Sequence, residues 1–249
     1  QKEKEMPISL GDISEWNFFL HGLKQRYGQD AEIERFVENK SPYRFMQYFD
    51  SLTQTDDVIC ADIGQNQMWA AQTLRLKSGQ KFVTSGGLAP MGFSLPVAIG
   101  CSFANPNKKV FSINGDGGFH MAIQSLMLIS QYNLPIKVII LNNASLGMIT
   151  QFQHLYFDDR MCGTTLNGGY RVPDIKSLST AYGLPYFRLT VDRLDDPDLR
   201  EEMQAAHNCI IECVVEGLTS PKLEYDKPIS KPLPLLPEEE YKENMLSEV

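Results

Sequence analysis

The sequence predicts an α/β domain, a doubly wound and mainly parallel sheet with helices on both faces. Two observations predict it. Short β-branched and apolar runs recur at 58–61, 109–113, 136–141, 186–189 and 209–215. Strands this uniformly apolar suit a parallel sheet that is covered on both sides. Segments of helical length lie between the runs, at 67–76, 93–104, 122–131 and 174–182. Sheets of this kind bind ligands beyond the carboxyl ends of their strands, so the loops after each run are the place to look for a site.

The flanks read differently. Residues 1–50 are polar and helix-prone, with aromatics at Trp16, Phe18, Phe19, Tyr43, Phe45, Tyr48 and Phe49. They read as a linker followed by a helix that packs on what comes next. Residues 51–217 form the α/β domain. Residues 218–249 hold Pro221, Pro228, Pro232, Pro234 and Pro237, which reads as an extended arm.

Composition narrows the partners. The 249 residues are 43% hydrophobic and 22% charged, ordinary for a globular chain. A formal charge of −8 supplies no basic face for nucleic acid or an acidic membrane. Phosphate remains possible, because backbone amides and a metal do not enter a charge count. The five cysteines Cys60, Cys101, Cys162, Cys209 and Cys213 form no CxxC pair and are odd in number. They read as buried, reduced thiols of a cytoplasmic protein. No apolar run reaches membrane-spanning length, and Gln1-Lys2-Glu3-Lys4 is no signal peptide.

The chemistry concentrates at two strand ends. Asn114-Gly115-Asp116-Gly117-Gly118 follows the strand ending at Ile113 and precedes a helix expected to start near His120. Glycines let backbone turn sharply and approach a ligand, and a helix start offers unpaired amides to phosphate. Asp116 is a hard oxygen ligand for a divalent ion. Asn142-Asn143 closes the next strand, 27 positions after Asp116, about one helix plus one strand. If the two strands run parallel, both ends share one edge, and Asn143 can add an amide oxygen to the ion Asp116 holds.

With these residues in place, the chain resembles the thiamine-diphosphate enzyme superfamily, whose signature is GDG, a gap of this size, then NN. The resemblance runs from about residue 55 to 215 and is nearest the acetolactate synthase branch. Gly64-Gln65-Asn66-Gln67-Met68-Trp69-Ala70-Ala71-Gln72 is similar to that branch's GQHQMWAAQ. Residues 84–92, with Gly87, Leu88, Ala89 and Met91, are similar to TSGGLGTMG, and residues 146–153 to LGMVTQWQ.

The resemblance implies roles. Asp116, the Asn143 side chain and the Ser145 carbonyl would bind Mg²⁺. Gly115, Gly117 and Gly118 would cradle the diphosphate, with Gly64, Gln65 and Asn66 touching it from another strand end. Met91 would wedge under the bent cofactor, the Ala89 carbonyl would accept its exocyclic amine, and Gly87 and Leu88 belong to the same loop. Gly147 and Met148 would line the pocket. The activity implied is decarboxylation of a 2-oxo acid such as pyruvate, then transfer of the remaining unit to a second carbonyl.

The resemblance also implies that the activating glutamate lies on a separate pyrimidine-binding domain, so no catalytic residue is assigned in this chain. Residues 1–50 would then be the connection from a middle domain. The chain would be one half of an active site, cut from a longer polypeptide or encoded as a separate subunit, and the complete enzyme a homo-oligomer. Other readings are a thiamine-binding subunit of a 2-oxoacid decarboxylase or ferredoxin oxidoreductase, or a non-catalytic subunit. Three positions depart from the branch. Asn66 replaces its histidine, Ala89-Pro90 its Gly-Thr, and Phe152 a tryptophan that shapes the pocket. His120 and His154 read as structural, and Asn167-Gly168-Gly169 as a loop turn.

Overall fold

Apolar runs that end in glycine or a small polar residue set the strands. The computed structural model describes residues 13–37, 39–215, 239, 240 and 242. Among them lie strands β1 (Val58–Ala61), β2 (Lys81–Val83), β3 (Val110–Gly115), β4 (Ile136–Asn142), β5 (Tyr186–Leu189) and β6 (Cys209–Val214). They form one sheet in the order β2-β1-β3-β4-β6-β5, and every pairing is parallel. The central strands are buried along nearly their whole length, as expected of a sheet with two covered faces.

The helices are α1 (Ser14–Tyr27), α2 (Gln29–Phe36), α3 (Ser41–Leu52), α4 (Gln65–Thr73), α5 (Ser94–Ala104), α6 (Asp116–Met121), α7 (Leu126–Gln131), α8 (Gly147–Tyr156), α9 (Ile175–Ala181) and α10 (Pro197–Ala205). One core joins Val58, Cys60, Val110, Val138 and Ile140 of the sheet to Leu95 and Ala98 of α5, Leu126 and Ile129 of α7, and Ile175 of α9. On the other face Phe49 and Leu52 of α3 and Met203 of α10 meet Phe111, Lys137 and Ile211. The doubly wound α/β architecture is therefore as the apolar runs predict.

Lys137 shows what a buried cation needs. It lies on β4 with its ammonium buried, and it donates to the Met203 carbonyl at 2.7 Å and to that of Ala206, which close α10. Those carbonyls have no partner within their own helix, so one side chain fastens α10 to the sheet. The helix starts are capped where the sequence offers a carboxylate: Asp174 accepts the Ser177 amide at 2.5 Å, and Asp196 the Leu199 amide at 3.1 Å.

Several expectations shift. β2 was not anticipated, because a three-residue edge strand beginning at exposed Lys81 leaves no apolar run. The helix expected near His120 starts at Asp116, and 122–131 divides into a 3-10 turn at Ile123–Ser125 followed by α7. Cys60, Cys209 and Cys213 are buried, but Cys101 is partly exposed and Cys162 exposed, so burial does not hold for all five. The arm expected over 218–249 lies outside the described residues apart from Glu239, Glu240 and Lys242.

The described residues divide into two compact units, one up to residue 37 and the other from residue 39 on. In the first, Trp16 and Phe19 of α1 stack with ring centroids 5.6 Å apart. The second begins with α3, which buries Tyr43, Phe45, Met46, Tyr48 and Phe49. Tyr43 donates its hydroxyl to Gln72 at 2.9 Å, and the Arg200 guanidinium lies 5.6 Å from the Tyr48 ring centroid. α3 thus packs as part of the sheet domain. Phe45 is 0% exposed, so Phe45→Ala is expected to cost about 3–5 kcal/mol in urea unfolding followed by circular dichroism. Trp16→Ala, at a side chain 47% exposed, should cost within about 0.5 kcal/mol. A Phe45→Ala cost as small as that of Trp16→Ala would remove α3 from the core.

Candidate functional site

The chain turns one way from β1 to β2 and the other way from β3 to β4, so the strand order reverses between β1 and β3. A crevice opens at such a reversal, outside the carboxyl ends of the strands. Here Ala61 lies opposite Ile113 and Gly115 opposite Leu141, so β1, β3 and β4 end side by side. The cavity at that edge is about 360 Å³. Gly64, Gln65 and Asn66 line it from beyond β1, and Ala89 and Met91 from beyond β2. Gly115, Asp116, Gly117 and Gly118 enter from β3, and Asn143, Ser145, Gly147 and Met148 from β4. Gly87 and Leu88 are not among its lining residues, and Leu88 is fully exposed.

Asp116 opens α6 and is only 3% exposed. Burial pushes its carboxyl up to about 7. Hydrogen bonds from the Tyr170 hydroxyl and from the backbone amides of Asp116, Gly117 and Ser145 pull the other way. Tyr170 Oη donates to Asp116 Oδ2 at 3.1 Å. Burial and that neighbouring carboxylate raise the phenol above its ordinary value, so the phenol is the proton donor of the pair.

The amide of Asn143 is held from two sides. Its Oδ1 accepts the Ser145 amide at 3.2 Å, and its Nδ2 points to Gln65 Oε1 at 3.5 Å. Gln65 in turn reaches Gln151 on α8 at 3.4 Å. Ser145 is buried, with its hydroxyl 2.7 Å from Thr150 Oγ1 and donating to the Thr164 carbonyl at 2.9 Å. The backbone turn between the two residues puts Ala144 at φ +51°, a left-handed conformation that costs an alanine about 1 kcal/mol. The preceding carboxylate and these two neutral groups therefore converge from β3 and β4.

Sequence reasoning passed over Asp62, which the fold makes central. It follows β1 directly and is fully buried. Its carboxylate accepts the amides of Ile63 at 2.8 Å, Gly92 at 3.1 Å and Phe93 at 3.0 Å, which ties the Met91 loop to the end of β1. Burial raises this carboxyl above its usual range against those bonds. A Cβ on Gly118 would collide with Asp62 Oδ2, so the last glycine of the motif is required by a carboxylate 56 positions earlier. The one local signal was an acid directly after an apolar strand, with Gly64 two residues on.

The cavity can be tested against a diphosphate bound to a hard divalent cation. A Cβ on Gly117 would lie 2.5 Å from Leu146 Cδ2, 3.0 Å from Met91 Cε and 3.3 Å from Tyr170 Oη, so only a glycine fits between these side chains at the cavity edge. Asn66 Oδ1 is buried without a partner, an acceptor that suits a cation or a hydrogen-bond donor of the ligand. Among the described residues no three His, Cys, Asp or Glu side chains gather into a metal site. A cation would therefore draw on one carboxylate and neutral oxygens, completed by phosphate and water, a donor set that suits a hard ion. The residues present fit the group.

Other singled-out residues lie apart. His120 is exposed, and His154 pairs with Asp159 on the surface at 2.6 Å. Phe152 is partly exposed on α8 with its ring 5.6 Å from that of Tyr156, and it does not line the cavity. Among the described residues no helix is long and apolar enough to cross a membrane.

Comparison with known proteins agrees with this edge of the sheet. The family described as thiamine pyrophosphate enzyme, C-terminal TPP binding domain, matches residues 62–215. Acetolactate synthase 2, chloroplastic, of Brassica napus is 39% identical over 197 residues, covering 78% of this chain and 30% of that protein. The acetolactate synthase large subunit of Corynebacterium glutamicum is 37% identical, covering 72% of this chain and 29% of its own length. A probable acetolactate synthase large subunit of Methanococcus aeolicus is 39% identical, covering 80% and 32%. The chain thus spans less than a third of the length of these relatives. Over residues 62–215 it belongs to the thiamine pyrophosphate enzymes, as an acetolactate synthase-like, C-terminal cofactor-binding domain.

Proposed function

We propose that this chain holds thiamine diphosphate through Mg²⁺ and supplies one wall of an active site that decarboxylates a 2-oxo acid such as pyruvate. The same site would then transfer the remaining unit to a second carbonyl. The observation that carries the proposal is the convergence of Asp116, Asn143, Ser145 and the glycines Gly115, Gly117 and Gly118 on one cavity at the switch point. Its volume of about 360 Å³ falls within the usual range for small-molecule sites.

Each residue has a part in this reading. Asp116, the Asn143 side chain and the Ser145 carbonyl hold the cation. Gly115, Gly117 and Gly118 admit the diphosphate, and Gln65 and Asn66 meet it from β1, with Gly64 letting α4 begin at the rim. Met91 and Met148 supply apolar walls that orient the ring system, and the Ala89 carbonyl accepts a hydrogen bond from it. Gly147 leaves room for Gln65, and Gly87 and Leu88 lie on the loop that carries Met91. When bound, thiamine diphosphate supplies the nucleophilic carbon and the electron sink that the decarboxylation needs.

A pyrimidine-binding domain or subunit completes the site in this proposal, and the assembled enzyme is a homo-oligomer. What supports this is the exposed apolar surface: Ile149, which lines the cavity, and Leu155 and Tyr156 of α8, with Phe157 just after it, are about half exposed, and association would cover them. The matched relatives are also more than three times as long as the stretch they share with this chain.

Asp116→Ala and Asn143→Ala should each abolish Mg²⁺-dependent thiamine diphosphate binding in calorimetry on the assembled enzyme, because each removes an oxygen from the cation. Unchanged affinity in both would sink the metal assignment. The purified chain should neither decarboxylate pyruvate nor hold the cofactor tightly, and adding a pyrimidine-binding polypeptide should bring turnover. Robust turnover by the chain alone would overturn the claim that it is half of a site.

A further inference from the structure

The segment 161–171, marked in the sequence by Asn167-Gly168-Gly169, is built as a closed loop and not as a slack connection. Gly163 donates its amide to the Gly168 carbonyl at 2.8 Å, and the Tyr170 amide donates to the Thr165 carbonyl at 2.9 Å. Thr165 Oγ1 accepts the Gly168 amide at 3.1 Å, and the Arg171 guanidinium donates to the carbonyls of Leu166 and Tyr170.

The closed loop is then docked on the turn that carries Asn143 and Ser145. Leu146 donates its amide to the Thr164 carbonyl at 2.9 Å, the Ser145 hydroxyl donates to the same carbonyl, and Ser145 and Thr165 form an antiparallel bridge. Thr164 Oγ1 donates to Gln153 Oε1 of α8 at 2.5 Å. One loop therefore grips Ser145, two residues after Asn143, and, through the Tyr170 hydroxyl at 3.1 Å, the carboxylate of Asp116.

We infer that Tyr170 is a positioning residue for the metal. Its hydroxyl takes Asp116 Oδ2 as acceptor and fixes the carboxylate plane, while Thr164 and Thr165 fix the backbone at Ser145. The loop thereby presets the spacing between a ligand from β3 and two from β4 before any cation enters. This rests on the reading of Asp116 as a metal ligand. Partners that hold a ligating carboxylate commonly set metal affinity, and losing one typically costs 10–100-fold.

The test is a titration of Mn²⁺ and thiamine diphosphate with the full chain, reading free Mn²⁺ by electron paramagnetic resonance. Tyr170→Phe keeps the ring and removes only the hydroxyl. It should weaken Mn²⁺ binding by roughly 10–100-fold and leave the thermal midpoint of the metal-free chain close to wild type. Tyr182→Phe, on a tyrosine that packs against the hydrophobic core and not on Asp116, should leave binding unchanged. Thr165→Val removes the hydroxyl that holds Gly168 and should weaken Mn²⁺ in the same direction by a smaller factor, which keeps the inference testable should Tyr170→Phe fold poorly. Wild-type Mn²⁺ affinity in Tyr170→Phe, beside lost binding in Asp116→Ala, would overturn the role of Tyr170 and leave the metal reading standing. Wild-type affinity in Asp116→Ala would instead remove the metal reading itself. A lowered thermal midpoint with unchanged Mn²⁺ affinity would make Tyr170 a structural residue and also overturn the inference.

Discussion

A carboxylate taken out of water has to be compensated, and at Asp116 the compensation organises the neighbourhood. The group is 3% exposed, and burial moves it toward its neutral form, up to about 7, against the hydrogen bonds that favour the charge. The donors around it come from three places: its own helix start, Ser145 beyond β4, and Tyr170 beyond α8. A cation at the same oxygens would favour the charged form far more strongly than these neutral donors. The burial of Asp116 and the proposed function are therefore one constraint seen from two sides.

The sheet delivers that arrangement through register. Gly115 opposite Leu141 fixes how far Asp116 stands from Asn143, and one residue of slip would reverse every side chain on β3. The register is held inside the sheet as well as by its covering helices. Asn114, fully buried, donates from Nδ2 to the Ser112 carbonyl at 2.9 Å on its own strand and to the Ile139 carbonyl at 3.3 Å across β4. Ser112 Oγ meets Ser94 at 2.8 Å, which adds the start of α5 to the same buried polar chain. A polar network of this kind favours one alignment over its neighbours, because any shift strands buried donors.

Much of this was legible in the sequence, and the exceptions share a cause. Five of the six strands and the placing of Asp116 and Asn143 at one edge of the sheet follow from patterns confined to a few residues: an apolar run, then glycines and an acid, then two asparagines. Asp62 and Tyr170 were not legible because each acts on a partner distant in the chain. Asp62 reaches the amides of Gly92 and Phe93, and Tyr170 reaches Asp116, 54 positions away. β2 escaped because an edge strand with Lys81 facing solvent carries no burial pattern. α8 escaped because its residues 147–156 read first as part of a motif, and its exposed Ile149, Leu155 and Tyr156 gave no clean inward stripe. Phe152, read as a pocket residue by resemblance, lies with that exposed face and not in the cavity lining.

The central claim is that Asp116 and Asn143 meet on one cation bound to a diphosphate. Anomalous diffraction at the manganese edge, from crystals of the chain grown with Mn²⁺ and thiamine diphosphate, reads this directly. The account predicts a single strong peak at the end of β3 and β4, about 2.0–2.3 Å from an Asp116 carboxylate oxygen and the Asn143 amide oxygen, as hard divalent ions require. Thiamine diphosphate bound in the cavity with no peak between these two residues would contradict it.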